Sequence, residues 1–360
     1  MLNENMISKN QRVTLQITGM SSQGSGVGRY GGAAVFVPQT AVGDVVRAQI
    51  VKVAKSFCYG KLLEVFTPSP DRLARVDCPV FAECGVSVYD ERSHTGLLRH
   101  IYLREAGESG EFMACAVVNA RKIEALPGRP RLIALLREAL PNLKSVTVNF
   151  NHEKTNVILG RRCETVWGAD FITDTLCGVK LRLSPLSFYQ VNHVEAQRLY
   201  ARAAEYAALK PDDVLLDLYC GAGAIGLSMA KSCKRVIGVE LSPEAVADAR
   251  QNAAINNITN ARFLCGDTAL AAGHILKEGI TPAVVVLDPP RKGLTPELIE
   301  TVASIKPGRV VYISCNPATM ARDLTLFAGH GFAATQITPV DMFPRTAHVE
   351  TIVLLQRQNT

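Results

Sequence analysis

The chain has 360 residues, 48% hydrophobic and 20% charged, with 39 Lys and Arg against 33 Asp and Glu for a formal charge of +6. This supports two or three domains, excludes a disordered chain or a histone-like polycation, and suits a polyanionic partner. The first residues are polar and no apolar run reaches membrane-spanning length, so the sequence reads as cytoplasmic, without a membrane partner, and its 10 scattered cysteines read as reduced thiols.

From Gln11 to Phe66, short alternating runs (Val13–Ile17, Ala34–Val37, Val45–Val51) separated by glycine-rich turns predict a small β-barrel. Thr67-Pro68-Ser69-Pro70 then marks a linker. A mixed stretch follows to about Ser187, with a strand at Phe112–Val118 and an amphipathic helix through Arg131–Arg137. From Val194 onward apolar strands alternate with helical periods, the pattern of a doubly wound, mostly parallel α/β sheet.

The strand Val214–Cys220 runs directly into Gly221-Ala222-Gly223-Ala224-Ile225-Gly226 and a helix. Such a loop serves a dinucleotide or S-adenosylmethionine, and many such strings bind neither. Asp217, just before the loop, would repel a pyrophosphate but can face a cationic amino-acid moiety. Glu240 ends the next strand, about 20 residues on, where a ribose diol is held. Asp267 offers a carboxylate to an adenine amine, and Asp288 opens Asp288-Pro289-Pro290-Arg291 after the fourth strand. Any one of these acids is as readily a helix cap or turn former. Four at successive strand ends favour S-adenosylmethionine.

The buried run Val310–Ser314 breaks into Cys315-Asn316-Pro317, which places a thiol at the carboxyl end of a strand, the edge where open α/β sheets bind ligands. A lone strand cysteine is usually core filler. Beside a cofactor loop it suits a harder task, because carbon 5 of uracil becomes nucleophilic only after a thiolate adds at carbon 6. A base must then remove the carbon 5 proton, and Glu350, entering a last apolar strand, is the first candidate, with His348 second. Arg291 stands where amine-methylating enzymes place an aromatic clamp, which disfavours that chemistry.

These residues resemble the RNA (uracil-5)-methyltransferase family, most closely its 23S ribosomal RNA branch. The resemblance rests on Ser187-Phe188-Tyr189-Gln190-Val191-Asn192, Asp217-Leu218-Tyr219-Cys220-Gly221, Leu287-Asp288-Pro289-Pro290-Arg291 and Ser314-Cys315-Asn316-Pro317. It implies an OB-like TRAM barrel over residues 8–66 that binds RNA, a reduced α+β central domain over 67–186 and a Rossmann-like catalytic domain over 187–360. Cys315 is then the nucleophile and Glu350 the proton acceptor, while Gln190, Tyr219, Gly221, Glu240 and Asp288 contact S-adenosyl-L-methionine and Asp267 fits the adenine. The implied substrate is a uridine in RNA, 23S ribosomal RNA before transfer RNA, and no obligate protein partner is called for.

The middle departs from the family. Cys78-Pro79-Val80-Phe81-Ala82-Glu83-Cys84-Gly85 keeps two of the four cysteines that hold a [4Fe–4S] cluster in relatives, and an RNA-binding insert is missing before Thr95-Gly96-Leu97-Leu98-Arg99-His100. Two thiolates do not hold such a cluster, and neither Cys115 nor Cys163 sits in a ligand-like motif, so no cluster is expected. Other readings are an RNA cytosine-5 methyltransferase, which usually wants a second cysteine where Asp288 stands, a non-catalytic RNA-binding factor and a small-molecule methyltransferase. The last leaves the barrel loop Gly24-Ser25-Gly26-Val27-Gly28-Arg29 without a purpose.

Overall fold

The computed structural model describes residues 7–21, 25–54, 57–70, 84–155, 157–344, 346 and 348–358. Gly24 of the barrel loop and Cys78 of the cysteine motif lie outside the described residues.

Strands β1 (Arg12–Met20), β2 (Gly26–Tyr30), β3 (Ala33–Val37), β4 (Val45–Val53) and β5 (Phe57–Thr67) close into a barrel in the order β1-β2-β3-β5-β4. Alternation sets the faces: Val13, Leu15 and Ile17 fill the interior while Arg12, Thr14 and Gln16 face out. Closure leaves this compact unit no open sheet edge.

In the remaining unit, β6 (Leu98–Glu105), β7 (Phe112–Val118), β8 (Leu143–Phe150) and β9 (Arg162–Gly168) form a sheet in that order. Helix α1 (Arg129–Ala139) lays Ile133 and Leu136 on Ala114 and Val146 of this sheet. A hairpin of β10 (Ile172–Leu176) and β11 (Val179–Leu183) follows. The sequence reading groups these residues with the central domain. Their alternating Ile172, Leu176, Val179, Leu181 and Leu183 instead share a core with Leu199 and Ala203 of α2 (His193–Ala207), because the inward face of that helix is the apolar surface within reach.

Seven strands complete the fold: β12 (Val214–Leu218), β13 (Arg235–Glu240), β14 (Ala261–Cys265), β15 (Val284–Leu287), β16 (Arg309–Ser314), β17 (Phe332–Val340) and β18 (Glu350–Arg357). Their order is β14-β13-β12-β15-β16-β18-β17, with the first five parallel and β18 antiparallel between β16 and β17. Helices α3 (Ala224–Met229), α4 (Pro243–Ile255), α5 (Thr268–Lys277), α6 (Pro296–Ile305) and α7 (Pro317–Gly329) cover both faces. Successive residues of β12 serve opposite cores, Leu215 packing with Ala249 and Leu216 with Ile275 and Ile299. The chain reverses direction of winding between β12 and β15, which opens a crevice at the strands' carboxyl ends. Among the described residues no helix is long and apolar enough to cross a membrane.

Candidate active site

The loop after β12 is built on left-handed backbone. Tyr219 has φ +64°, a conformation that costs a bulky residue on the order of 1 kcal/mol, and Gly221 and Gly223 follow at +53° and +82°. A side chain at Gly221 would meet nothing within 4 Å, so its backbone faces open cleft. Gly226 is tighter: its N–H donates to Asp217 Oδ2 at 2.9 Å, and a Cβ there would stand 2.8 Å from that oxygen. Asp217 does not face the cleft as its position before the loop led one to expect. It is fully buried beneath the loop, burial lifts its carboxyl to about 7, and its Oδ1 has no hydrogen-bond partner.

The cleft has two lobes joined at Phe188, Gly221 and Ala222. One is lined by Tyr189, Tyr200, Tyr219 and Asp288; the other, about 250 Å³, by Ser187, Glu240, Ser242 and Asp248. Glu240 accepts the N–H of Gly221 at 3.1 Å and that of Ser242 at 2.9 Å, so one carboxylate ties the glycine loop to the start of α4. Tyr219, Gly221, Glu240 and Asp288 thus converge. Gln190 and Asp267 do not line either lobe: Gln190 is buried in its own segment, and the exposed Asp267 caps α5 by accepting from Ala269 and Leu270.

The segment Ser187–Asn192, which carries Gln190, is fixed from below. Asp174 of β10, 1% exposed, accepts the Tyr189 hydroxyl at 2.7 Å and the N–H groups of Gly107 and Glu108 at 2.8 Å, with His193 Nδ1 at 3.2 Å. Burial alone would raise this carboxyl, but the donors from Glu108, Tyr189 and Gly107 hold it below the usual range. Ser187 donates to Asp248 at 2.7 Å, and Asn192 caps α2 and donates to the Met342 carbonyl. Phe188 remains 76% exposed at the lip of the cleft.

The thiol stands where β16 meets α7. Asn316 caps the helix by accepting from Ala318 and Thr319, so the chain turns sharply and leaves Cys315 half-buried at the sheet edge. Ser314 pairs with Thr351 in the antiparallel register, and their neighbours Cys315 and Glu350 lie near enough for the Glu350 charge to act on the thiol. Burial pushes the Glu350 carboxyl up, against the pull of Arg291. Burial also pushes the Cys315 thiol up, Glu350 adds to this, and the Arg291 guanidinium, hydrogen-bonded to the thiol, opposes both. Asp288 is partly open to the cleft but crowded by protein, and burial, Glu350 and Asp217 lift it to about 8.

Arg291 was missed as a site residue in the sequence, where it counted only as a non-aromatic residue after two prolines. Its carbonyl accepts from Asn316 Nδ2 at 3.1 Å and Thr319 Oγ1 at 3.3 Å, and the Leu294 N–H donates to the buried Asp323 at 2.8 Å. These bonds fix the loop that aims the cation at the thiol. The available signal was a cation three residues past Asp288, in the turn that leaves the carboxyl end of β15. His348, the second candidate base, packs edge-on to Phe343. The carboxylate whose charge acts most on the thiol is Glu350.

A family model described as tRNA (Uracil-5-)-methyltransferase matches residues 160–358, and a TRAM domain model matches residues 8–63. The chain belongs to the RNA (uracil-5)-methyltransferase family. An uncharacterised RNA methyltransferase of Clostridium tetani is 32% identical to this family member, with 97% of each chain covered. Its alignment runs over 450 positions against 360 residues here, so at least 90 of the relative's residues have no counterpart. One from Oceanobacillus iheyensis is 42% identical over 75% of this methyltransferase and 58% of its own length. In fold, the crystal structure of a Pyrococcus abyssi tRNA (uracil-54, C5)-methyltransferase with S-adenosyl-L-homocysteine superposes with TM-score 0.67 at 24% identity, covering 95% of this methyltransferase and 100% of that chain.

The cofactor of this methyltransferase is S-adenosyl-L-methionine, and the cleft fits it: backbone at Gly221 is open, and the carboxylates of Glu240 and Asp288 on its lining favour a cation. Cys84 Sγ lies 3.9 Å from the Gly128 carbonyl, and among the described residues no three His, Cys, Asp or Glu side chains converge as metal ligands. Cys115 and Cys163 hydrogen-bond to each other; with Asn149 also donating at 3.1 Å, Cys163 is drawn down to about 7 while Cys115 is pushed up.

Proposed function

We propose that this methyltransferase acts on carbon 5 of a specific uridine in 23S ribosomal RNA in the cytoplasm, with Cys315 as nucleophile and Glu350 as proton acceptor. The observation that carries the reading is the nearness of Cys315, just past the end of β16, to Glu350, at the start of the neighbouring β18, with Asp288 and Arg291 beside them. The Cys315 thiolate adds to carbon 6 of the uracil, and carbon 5 of the resulting enolate bonds to the methyl carbon as its bond to sulfur breaks. S-adenosyl-L-methionine supplies that methyl as a sulfonium. Glu350 then takes the carbon 5 proton and the pair of electrons released reforms the 5,6 double bond, expelling the thiolate. A buried carboxylate with a raised proton affinity suits that removal. Tyr219, Gly221, Glu240 and Asp288, which line the cleft, hold the cofactor in this scheme, and the barrel over residues 8–66 grips RNA. A sheet-edge thiol requires the base to leave its stack, which favours a loop target.

Transfer RNA is the second reading, favoured by the description of the matching family model and by the Pyrococcus abyssi enzyme. Transcripts of 23S ribosomal RNA and transfer RNA containing 5-fluorouridine, incubated with the protein and cofactor, test both. Fluorine cannot leave as a proton, so the adduct persists on a denaturing gel. An equal yield of adduct from Cys315→Ala overturns the assignment, and the transcript that is trapped decides between the two substrates.

A further inference from the structure

Beyond the catalytic cleft, the sheet β6-β7-β8-β9 carries a second cleft of about 590 Å³, lined by Arg121, His152, Glu153, Thr155, Arg161 and Arg162 among others. Its wall is held from inside by Arg99, whose side chain is 1% exposed. The Arg99 guanidinium donates to the carbonyls of Asn151, Glu153 and Thr155 at 2.7–3.1 Å and stacks on Tyr89 at 4.5 Å. Asn149 and Asn151, both buried, donate to the carbonyls of Gly160, Val157 and Ile158. Buried polar side chains spent on loop carbonyls in this way fix the backbone before any ligand arrives.

The cations on this frame are exposed and poorly neutralised. Arg162 stacks on Phe150, donates to the Arg121 carbonyl and pairs with Glu164. Among the described residues, Arg121 and Arg161 have no carboxylate partner within 4.0 Å. A preformed groove with several converging guanidinium and imidazole groups and a single lining acid matches a phosphodiester backbone.

Its place in the fold adds a constraint. Leu98, Val118, Phe150 and Arg162 mark one end of the sheet, next to the cleft, while Glu105 and Phe112 mark the other. At that other end Arg104 donates to the Ser184 and Ser187 carbonyls and Gly107 reaches Asp174, beside the segment that closes the cofactor cleft. Eight residues of strand separate the two ends by about 25 Å.

We infer that Arg121, Arg161 and the loop framed by Arg99 form a remote phosphate-binding cleft for RNA that extends well beyond the target uridine. This rests on the RNA-methylating reading above. The cleft adds affinity to a long RNA and nothing to an oligonucleotide too short to span the sheet.

The test uses Arg121→Ala/Arg161→Ala in the full chain, with Lys277→Ala/Lys306→Ala as a control that removes equal charge elsewhere. Binding to a 23S ribosomal RNA transcript is titrated with salt. Loss of two phosphate contacts lowers the slope of log K against log salt by about 1.4–1.8. The cleft variant should show that drop and a weaker Kd for the transcript, the control neither, and Arg121→Lys/Arg161→Lys should recover most of the loss. A trinucleotide should bind wild type and variant alike. An unchanged slope, or an equal fall in the control, overturns the cleft. Failure of the methylation reading is seen separately, as absence of methyl transfer by the wild type, because the titration requires no turnover.

Discussion

The Tyr189 hydroxyl donates to Asp174 at 2.7 Å, and this single bond ties the segment bearing Gln190 to the hairpin beneath the cofactor cleft. Tyr189→Phe removes a hydrogen bond to a carboxylate, so unfolding should become easier by about 1.5–3 kcal/mol. The loosened segment should raise KM for S-adenosyl-L-methionine several-fold and leave kcat close to its original value. Thermal melts and steady-state kinetics check the two halves; a large fall in kcat with KM unchanged would assign Tyr189 to the chemistry instead.

Glu350→Gln keeps the shape of the acid and removes its ability to accept a proton. Turnover should fall by about 10²–10⁴, the range for loss of a general base. The methylated adduct through Cys315 should then accumulate on ordinary uridine RNA, without fluorine. Intact-mass measurement of the denatured complex detects it, and full turnover by this variant would return His348 to the role.

Arg291 opposes the burial and the Glu350 charge that push the Cys315 thiol up. Arg291→Met removes the opposing cation, so the thiol should ionise at higher pH and the rising limb of the kcat/KM profile should move to the alkaline side. Arg291→Lys should restore part of the shift, since an ammonium lacks the fixed fork of the guanidinium. A profile that drops uniformly without moving would mean that Arg291 serves only the loop.

Asp217 and Asp288 are held up at about 7 and about 8 in the folded chain, from an ordinary value of 3.8. Between those limits the folded protein binds more protons than the unfolded one, so stability without cofactor should decline as pH rises from about 4 to 8. A cation in the cleft favours the ionised acids. S-adenosyl-L-methionine should therefore raise the melting temperature more at pH 9 than at pH 6, and S-adenosyl-L-homocysteine, lacking the sulfonium charge, should gain less. Equal pH dependence for the two ligands would separate these acids from cofactor charge.

Much of this was legible because it follows from local pattern. Alternation in Arg12–Met20 and the β-branched run ending at Ser314 each imply one backbone geometry, and the glycine loop after Leu218 needs backbone that other residues adopt at a cost. Partnerships across the sheet are not written locally. Nothing near Asp217 in sequence reveals that its carboxylate turns under α3 toward Gly226, whereas the bonds of Asp267 to Ala269 and Leu270 are the helix-cap alternative that its local sequence offered. The same holds for Arg291, whose aim depends on Asn316, Thr319 and Asp323 from another part of the chain.

Strand β18 lies between β16 and β17, although both precede it in sequence. Glu350 therefore takes its place only once two pairings, with β16 and with β17, have closed around β18. The cofactor loop and Cys315 sit on strands joined in the parallel half of the sheet, so the site is assembled from two halves with different folding demands, and the carboxylate half waits on the hairpin-like insertion of β18.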